Sequence, residues 1–508
     1  MSFDLSIPAQ LSAALAPELL LSVGAMLLLL LAGWGDESAR RERTVGAWSI
    51  VVCVLTLAVV VWMWLNGAKA TPGIIAVDGF RWATDIVILI ATIITIALTI
   101  DYSRIEELVS AETHVLVLFA SAGMMVLVAA RDLIMVFLGI ELMSIAVYIL
   151  AGANRRSSKA AEASLKYFLL GAFSTGFLLY GIALVYGATG STNLSDIGAK
   201  VTGATIAGAP MLLIGIGLLI VGFGFKVAAV PFHMWAPDVY EGAPTPITGY
   251  MAVAVKAAAF AALLRVWREA FPGALGSWHF AMWWLAVLTM VVGNLVALVQ
   301  KNLKRMLAYS SISHAGYLLV AVVANNQLGS AAFLFYILAY TLATMGAFAV
   351  VIALGEPGER NQSLSDFAGL WTVRPWLASA MAVFMLSLLG FPIAGGMGFF
   401  AKWYVLQAAL AATHPETALA VIIVLTSVMS TGYYLAVVMV MFMRPRPANA
   451  PPVRPVRAPT FLVIYASAIV LLFFGIFPAG LLGVARVNVP NVVASTAASP
   501  PEAALARR

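Results

Sequence analysis

Long apolar runs follow one another along almost the whole chain, separated by short connections that collect the Gly, Pro, Ser and basic residues. A helix needs about 20 mainly apolar residues to cross the hydrocarbon core of a bilayer, and the pattern predicts about fourteen such helices. They fall at 15–34, 46–65, 83–100, 114–130, 132–152, 164–187, 207–228, 246–267, 279–299, 306–324, 330–354, 376–411, 418–442 and 459–483. The expected fold class is therefore an all-α, polytopic membrane protein. The connection from Met443 to Pro459 reads as a Pro- and Arg-rich loop, and the tail after Val484 as poorly ordered.

Two predicted spans, the seventh and the twelfth, are interrupted at corresponding places. The first break is Phe225-Lys226-Val-Ala-Ala-Val-Pro231-Phe-His233, where Pro231 removes a backbone donor and clashes one turn back. The second is Leu389-Gly390-Phe391-Pro392-Ile-Ala-Gly395-Gly396, followed by Lys402. Broken helices at membrane depth occur where protein or water satisfies the freed backbone groups, and paired breaks point to a transport path and to an internal repeat of about five helices.

Composition excludes a water-soluble fold. Of 508 residues 62% are hydrophobic and only 10% charged, against about 25% charged in a soluble domain. The net charge of +6 lies in short runs between spans, so it reads as membrane topology and not as a nucleic-acid surface. Alternate connections are lopsided: one set carries sixteen Lys and Arg and the other six, with three more in the tail. Since cytoplasmic loops are enriched in these residues, both termini are expected outside the cytoplasm. No basic stretch precedes the first span, which carries Asp4 before it, so that helix is expected to stay in the membrane. A single cysteine, Cys53, excludes an internal disulfide, a Cys-ligated iron–sulfur cluster and a Cys-based zinc site. No dinucleotide or phosphate-loop motif occurs, and no cofactor or metal is expected in this chain.

Four lysines remain once the connections and the tail are counted: Lys166, Lys226, Lys256 and Lys402, all inside predicted spans. A charge at the bilayer centre costs about 2.5–3.5 kcal/mol on insertion scales, so it needs a partner or a task. Glu141, mid-span, is either a structural carboxyl or a proton-carrying or ion-pairing group. Lys256 lies among small residues that let a helix or water approach, and burial disfavours its charged form, as a reversible proton carrier requires. Lys226 and Lys402 flank the breaks, with snorkelling to the interface the competing reading for Lys226. Lys166 follows Arg155, Arg156, Lys159 and Glu162 so closely that snorkelling and function balance. His314 forms one polar stripe with Ser310, Ser313 and Tyr317 on an otherwise apolar helix, either an interhelical hydrogen-bond seam or a proton relay. His233, at the first break, is open to the same two readings. His114, His279 and His414 sit at span starts or loop edges, where solvation explains them.

Several stretches together resemble a known family, the antiporter-like membrane subunit N of bacterial proton-pumping NADH–quinone oxidoreductase, respiratory complex I. They are Phe137-Leu-Gly-Ile-Glu-Leu-Met-Ser, Ala161-Glu-Ala-Ser-Leu-Lys-Tyr-Phe-Leu-Leu-Gly171, Phe225-Lys226 through Val230 to Pro246, Asn302-Leu-Lys-Arg through His314, and Gly390-Phe-Pro392 through Lys402. The antiporter-like subunits L and M and the multisubunit sodium/proton antiporters share some of these features; Gly-Phe-Pro followed by a lysine is similar to subunit N.

The resemblance implies an antiporter-like fold: three N-terminal helices (1–113), two inverted five-helix repeats (114–268 and 279–442), then a cytoplasmic loop, a last helix and the tail (443–508). It implies that Glu141 and Lys226 form an ion pair, that Lys256 is the central lysine and Lys402 the lysine of the twelfth helix, with Lys166, His233 and His314 in supporting positions. FMN, iron–sulfur clusters and quinone are implied in partner subunits, which would include antiporter-like subunit M and small K- and J-type subunits. The implied activity is proton translocation across the bacterial inner membrane, coupled to electron transfer from NADH to quinone elsewhere. The alternative is a subunit of a multisubunit cation/proton antiporter or of a membrane-bound hydrogenase-type complex.

Overall fold

The computed structural model describes residues 1–34, 38–70, 73–201, 209–392, 395–448 and 454–489. Thirteen helices among them are long and apolar enough to cross a membrane. In chain order the longer helices are α1 (Ala16–Gly33), α2 (Ala39–Leu65), α3 (Gly79–Ile105), α4 (Glu112–Ala129), α5 (Leu133–Ala151), α6 (Ser158–Thr189), α7 (Pro210–Val227) and α8 (Thr245–Glu269). They continue as α9 (Pro272–Ala297), α10 (Leu303–Val323), α11 (Gln327–Leu354), α12 (Pro375–Leu389), α13 (Met397–Leu410), α14 (Thr417–Met443), α15 (Ala458–Ile476) and α16 (Pro478–Val487). All fourteen expected spans have a counterpart, the twelfth as the two short helices α12 and α13.

Caps explain where the helices begin. The side chains of Ser38, Asp78, Ser157, Asn302 and Asn326 each accept a hydrogen bond from a backbone N–H of the first turn, which satisfies donors that a helix start leaves free. Several expected boundaries move outward as a result. Arg40, Arg41 and Arg43, read as loop residues, lie in the first turns of α2, and Lys304 and Arg305 in that of α10. The chain expected at 459–483 as one helix breaks at Phe477, and α16 carries helix past Val484, where poor order was expected. The tail from 490 onward and residues 449–453 of the Met443–Pro459 loop lie outside the described residues.

Burial sorts the helices into a core and a belt. α8 is buried along its entire apolar window and α10 along 94% of it, whereas α1, α2, α14 and α15 bury a third. The belt turns Leu, Ile, Val and Phe outward at many positions, among them Leu30, Leu55, Phe173, Val428 and Ile469, a surface stable against lipid and not against water. α8 and α10, which carry Lys256 and His314, therefore run through the centre of the molecule. The turn of α8 just before Lys256, Met251–Val255, is wound as a π-helix, a local widening that recurs at functional sites.

Both expected breaks are present. After α7 the chain turns at Ala228, which has a positive φ of 57°. The backbone groups freed there are taken up by protein: Val230 N–H donates to Thr289 Oγ1 (2.9 Å), and the Trp235 indole N–H donates to the Phe225 carbonyl (3.0 Å). The short helix Trp235–Gly242 follows before α8 begins. Between α12 and α13 the turn is Gly390, at φ +77°. Residues 393–394 of this second break are outside the described residues.

Candidate functional site

Lys226 ends α7 with its side chain turned against α5. Its ammonium donates to Ser144 Oγ (2.7 Å) and to the Tyr148 hydroxyl (3.1 Å), and lies over the faces of the Tyr148 and Phe225 rings. The residue is 2% exposed, so snorkelling to the interface does not describe it. The direct ion pair expected with Glu141 is not formed: no contact within 4.0 Å joins them. The lysine is held instead by Ser144 and Tyr148, which follow Glu141 at three and seven positions and so share its side of α5; Glu141 itself is half-buried and makes no hydrogen bond among the described residues. Glu141 stays within electrostatic range of Lys226 and Tyr148.

Lys256 is 2% exposed and donates to the Ser311 carbonyl (2.7 Å) and the Ser311 hydroxyl on α10. Three residues along α10, His314 Nδ1 meets the Tyr336 hydroxyl (2.6 Å) and Nε2 the Tyr434 hydroxyl (3.1 Å), and Tyr434 also bonds Ser310. Three residues further, the Tyr317 ring carries the ammonium of Lys402 at 4.7 Å from its centre. Lys402, 8% exposed, donates to the Leu389 carbonyl (2.9 Å) at the C-terminus of α12, where the negative end of the helix dipole attracts a cation. His314 is in electrostatic range of both Lys256 and Lys402. Ser311, His314 and Tyr317, spaced by three on one face of α10, thus span about 9 Å along its axis between the two lysines.

The expected stripe of Ser310, Ser313, His314 and Tyr317 is only partly a unit. Ser313 donates back to the Ser310 carbonyl of its own helix, and Tyr317 donates to Thr426 and accepts from Asn294. Ser311, which the sequence reading passed over, is the residue that holds Lys256. Also missed were Ser144, Tyr148, Tyr336 and Tyr434. A line of rings, Tyr148, Tyr167, Trp235 and Tyr240, links the surroundings of Lys226 to those of Ser311 through successive contacts of 4.8, 4.4 and 5.8 Å between centres. Among the described residues the Tyr240 and Tyr340 hydroxyls and His233 Nδ1 are buried without a well-formed hydrogen bond, although both hydroxyls lie near Ser311. His233 itself is half-buried at the first break, between the exposed Pro231 and Met234.

Lys166 is not part of this row. It lies at the surface, its side chain 42% exposed, paired with Glu162 (2.6 Å) and Asp238 (3.0 Å). Arg305 joins Asp238 (2.9 Å) and Glu241 (2.8 Å), closing a charged cleft of about 180 Å³. Partial burial would raise the Asp238 carboxyl, but the hydrogen bonds from Lys166 and Arg305 outweigh it and hold Asp238 below the usual carboxylate range.

Most other buried cations are held differently; the exception, Arg268, is 6% exposed and donates to the Asn326 carbonyl (3.1 Å) and the Ser330 hydroxyl, but a guanidinium stays protonated. Arg81 and Arg265, counted as loop residues in the sequence, are 0% and 1% exposed. Arg81 contacts Glu18 and Asp85 (3.5 Å), and Arg265 binds Asp78 (2.8 Å) and Glu269 (3.1 Å). Lys304, also fully buried, pairs with Glu359 (2.7 Å). His114, expected to be solvated, is instead 0% exposed beside Glu42 at 4.0 Å. The contrast is sharp: Arg81, Arg265 and Lys304 each have a carboxylate, whereas among the described residues Lys226, Lys256 and Lys402 have only hydroxyls, carbonyls and ring faces within bonding distance. Among the described residues no group of three or more His, Cys, Asp and Glu could hold a metal ion.

A family model described as "NADH:quinone oxidoreductase/Mrp antiporter, TM" matches residues 130–430. NADH-quinone oxidoreductase subunit N of Gemmatimonas aurantiaca is 51% identical over 485 residues, covering 93% of this chain and 92% of the relative. The chain belongs to the subunit N family of NADH-quinone oxidoreductases. The matched segment contains Glu141, Lys166, Lys226, Lys256, His314 and Lys402 together. Among solved structures, a chain of Thermus thermophilus respiratory complex I with bound aureothin superposes with a TM-score of 0.79 at 37% identity, covering 92% of this chain and 99% of that one. A chain of the Mrp complex from Dietzia has a TM-score of 0.83 at 22% identity, covering 96% and 98%, a likeness of fold alone.

Proposed function

We propose that this chain carries protons across the membrane as a subunit of a respiratory NADH–quinone oxidoreductase, using Lys226, Lys256 and Lys402 as carriers. The observation that carries the reading is the kind of partner each lysine has. A buried ammonium with a carboxylate beside it is locked in its charged form, because removing its proton strands the carboxylate. One held only by hydroxyls, a carbonyl or a ring can lose its proton and leave neutral groups behind. Ser311, His314, Tyr336 and Tyr434, each able to donate and accept, link the last two lysines. Glu141, within electrostatic range of Lys226, acts on the row as a charge that sets when Lys226 holds its proton.

The energy for transport comes from NADH oxidation and quinone reduction in partner subunits that hold FMN and iron–sulfur clusters. The neighbours in the membrane are an antiporter-like subunit M and small K- and J-type subunits. In this reading the membrane is the bacterial inner membrane, both termini lie outside the cytoplasm, and α4–α8 and α9–α14 are two inverted repeats around the path. His233 and Lys166 serve the break and the charged surface cleft.

The test uses inverted membrane vesicles that contain the assembled complex. NADH oxidation is followed by absorbance and acidification of the lumen by a quenched dye. Glu141→Ala and Lys256→Ala are expected to assemble and to lose most of the acidification. If both variants assemble, oxidise NADH at the normal rate and acidify as wild type does, the lysine row carries no protons. Purification in mild detergent checks the assembly: flavin and iron–sulfur subunits are expected to accompany the chain, and a flavin-free complex with sodium-dependent proton exchange refutes the respiratory assignment.

A further inference from the structure

Away from the lysine row, a cleft of about 310 Å³ opens where three membrane helices end. It is lined by the last turns of α3 and α11, with Ile105, Ile352 and Ala353, and by the first turn of α15 with the residues leading into it. Three guanidinium groups border it: Arg104 from α3, and Arg454 and Arg457 from the segment before α15. None has a hydrogen-bond or ion-pair partner for its side chain among the described residues. The one carboxylate in the lining, Asp101, is engaged: its Oδ2 accepts from the Thr460 hydroxyl (2.6 Å) and backbone N–H (3.2 Å), fixing the start of α15. The cleft therefore holds two net positive charges beside apolar side chains.

We propose that this cleft binds the phosphate headgroup of an anionic phospholipid. Arginine's planar fork suits phosphate oxygens, and the volume lies at the lower end of ligand clefts, roughly 300–1,000 Å³, enough for a headgroup and its glycerol but not for whole acyl chains. Position decides for a lipid over a soluble anion. The lining residues of α3, α11 and α15 all fall within about a turn of a helix end, which is the headgroup level of the leaflet on the Arg-rich face, where basic pockets between helices meet anionic lipids. The acyl chains then lie along the apolar outer surfaces of the helices. Seated there, the lipid bridges α3, outside both expected repeats, to α11 and α15.

The experiment places the purified complex in nanodiscs with a photoactivatable phosphatidylglycerol and maps the crosslinked peptides by mass spectrometry. Labelling is expected on the peptides that carry Arg104 and Arg454–Arg457, competed by unlabelled phosphatidylglycerol and not by phosphatidylcholine or inorganic phosphate. The combined change Arg104→Gln, Arg454→Gln and Arg457→Gln should cut this labelling at least about tenfold, from the loss of three attractions to the headgroup. Arg155→Gln with Arg156→Gln, exposed arginines elsewhere in the chain, should leave it unchanged. Equal labelling in the triple variant, equal competition by phosphatidylcholine or by inorganic phosphate, or labelling confined to a neighbouring subunit with none on these peptides would each overturn the proposal.

Discussion

Replacing Gly390 by alanine tests how tightly Lys402 is placed. Gly390 ends α12 at φ +77°, and a Cβ there would lie 3.0 Å from Lys402 Cδ and 3.5 Å from both Lys402 Cε and the Gly398 carbonyl oxygen. The left-handed conformation costs an L-residue about 1–2 kcal/mol. Carbon atoms rest at about 3.5–4.0 Å, so the lysine stem must retreat by about half an ångström or more. That retreat draws the ammonium off the Leu389 carbonyl, now at 2.9 Å, and a hydrogen bond from a charged group is worth about 1.5–3 kcal/mol. The first cost falls on the fold and the second on the proton carrier. In vesicles, Gly390→Ala should therefore lower the unfolding midpoint of the complex and reduce the protons moved per NADH oxidised. Gly217→Ala is the control: it sits on the outer face of α7 with nothing within 4 Å of the added carbon, and alanine in a helix is favoured over glycine by about 1 kcal/mol. Pumping and stability in Gly390→Ala that match those of Gly217→Ala would refute the placement of Lys402 argued above.

Ser311→Ala removes one of the two acceptors of Lys256 and leaves the backbone carbonyl, a loss of about 1.5–3 kcal/mol in holding the ammonium; acidification should slow while the amount of assembled complex on a native gel stays normal. Glu359→Gln leaves the fully buried Lys304 without its counter-charge, at a cost of about 3 kcal/mol, and should deplete assembled complex. Burial would raise the Glu359 carboxyl, but Lys304 and the hydrogen bonds from Lys304 and Thr245 outweigh it and hold it below its ordinary value. The stabilisation is therefore present above the unfolded-state value of about 4.3 and lost as pH falls through the folded one, so thermal stability should drop on acidification below about pH 4 in wild type and less so in Glu359→Gln.

The helices were legible because a bilayer demands length and apolarity from one contiguous segment, and both breaks announced themselves through Pro231 and through Gly390 with Pro392. Glu141, Lys226, Lys256 and Lys402 stood out for the same reason: each is a charge in an otherwise apolar run. What holds them was not legible. Ser311 is one of three serines within four residues, and only the rotation of α10 against α8 decides which of them faces Lys256. Ser144 and Tyr148 are ordinary residues of an apolar helix until Lys226 arrives from 78 and more positions away. Arg81 and Arg265 misled for a different reason. They lie near predicted span ends, where an arginine normally reaches water, and nothing local shows that Glu18 and Asp78 come from distant parts of the chain to meet them. A signal did exist in Asp85 and Glu269, each four residues beyond its arginine and so on the same helix face.

The difference between a charge that supports the fold and one that carries a proton can be separated by keeping the charge and removing its reversibility. Arginine at position 256 does this, since a guanidinium stays protonated in proteins while offering donors for the Ser311 carbonyl and hydroxyl. The surroundings of Lys256 on α8, Ala252, Ala254 and Ala257 to Ala259, are small, so the larger head is accommodated at an overpacking cost of about 1–3 kcal/mol. If Lys256 is an electrostatic strut, Lys256→Arg should keep pumping near the wild-type ratio of protons to NADH, and Lys256→Met should lose it. If Lys256 releases and regains a proton, both variants should lose it although Lys256→Arg keeps the positive charge. Assembly on a native gel separates either result from misfolding. Normal acidification in Lys256→Arg would leave Lys256 with a structural role, and the distinction between neutral and carboxylate partners would no longer mark the carriers.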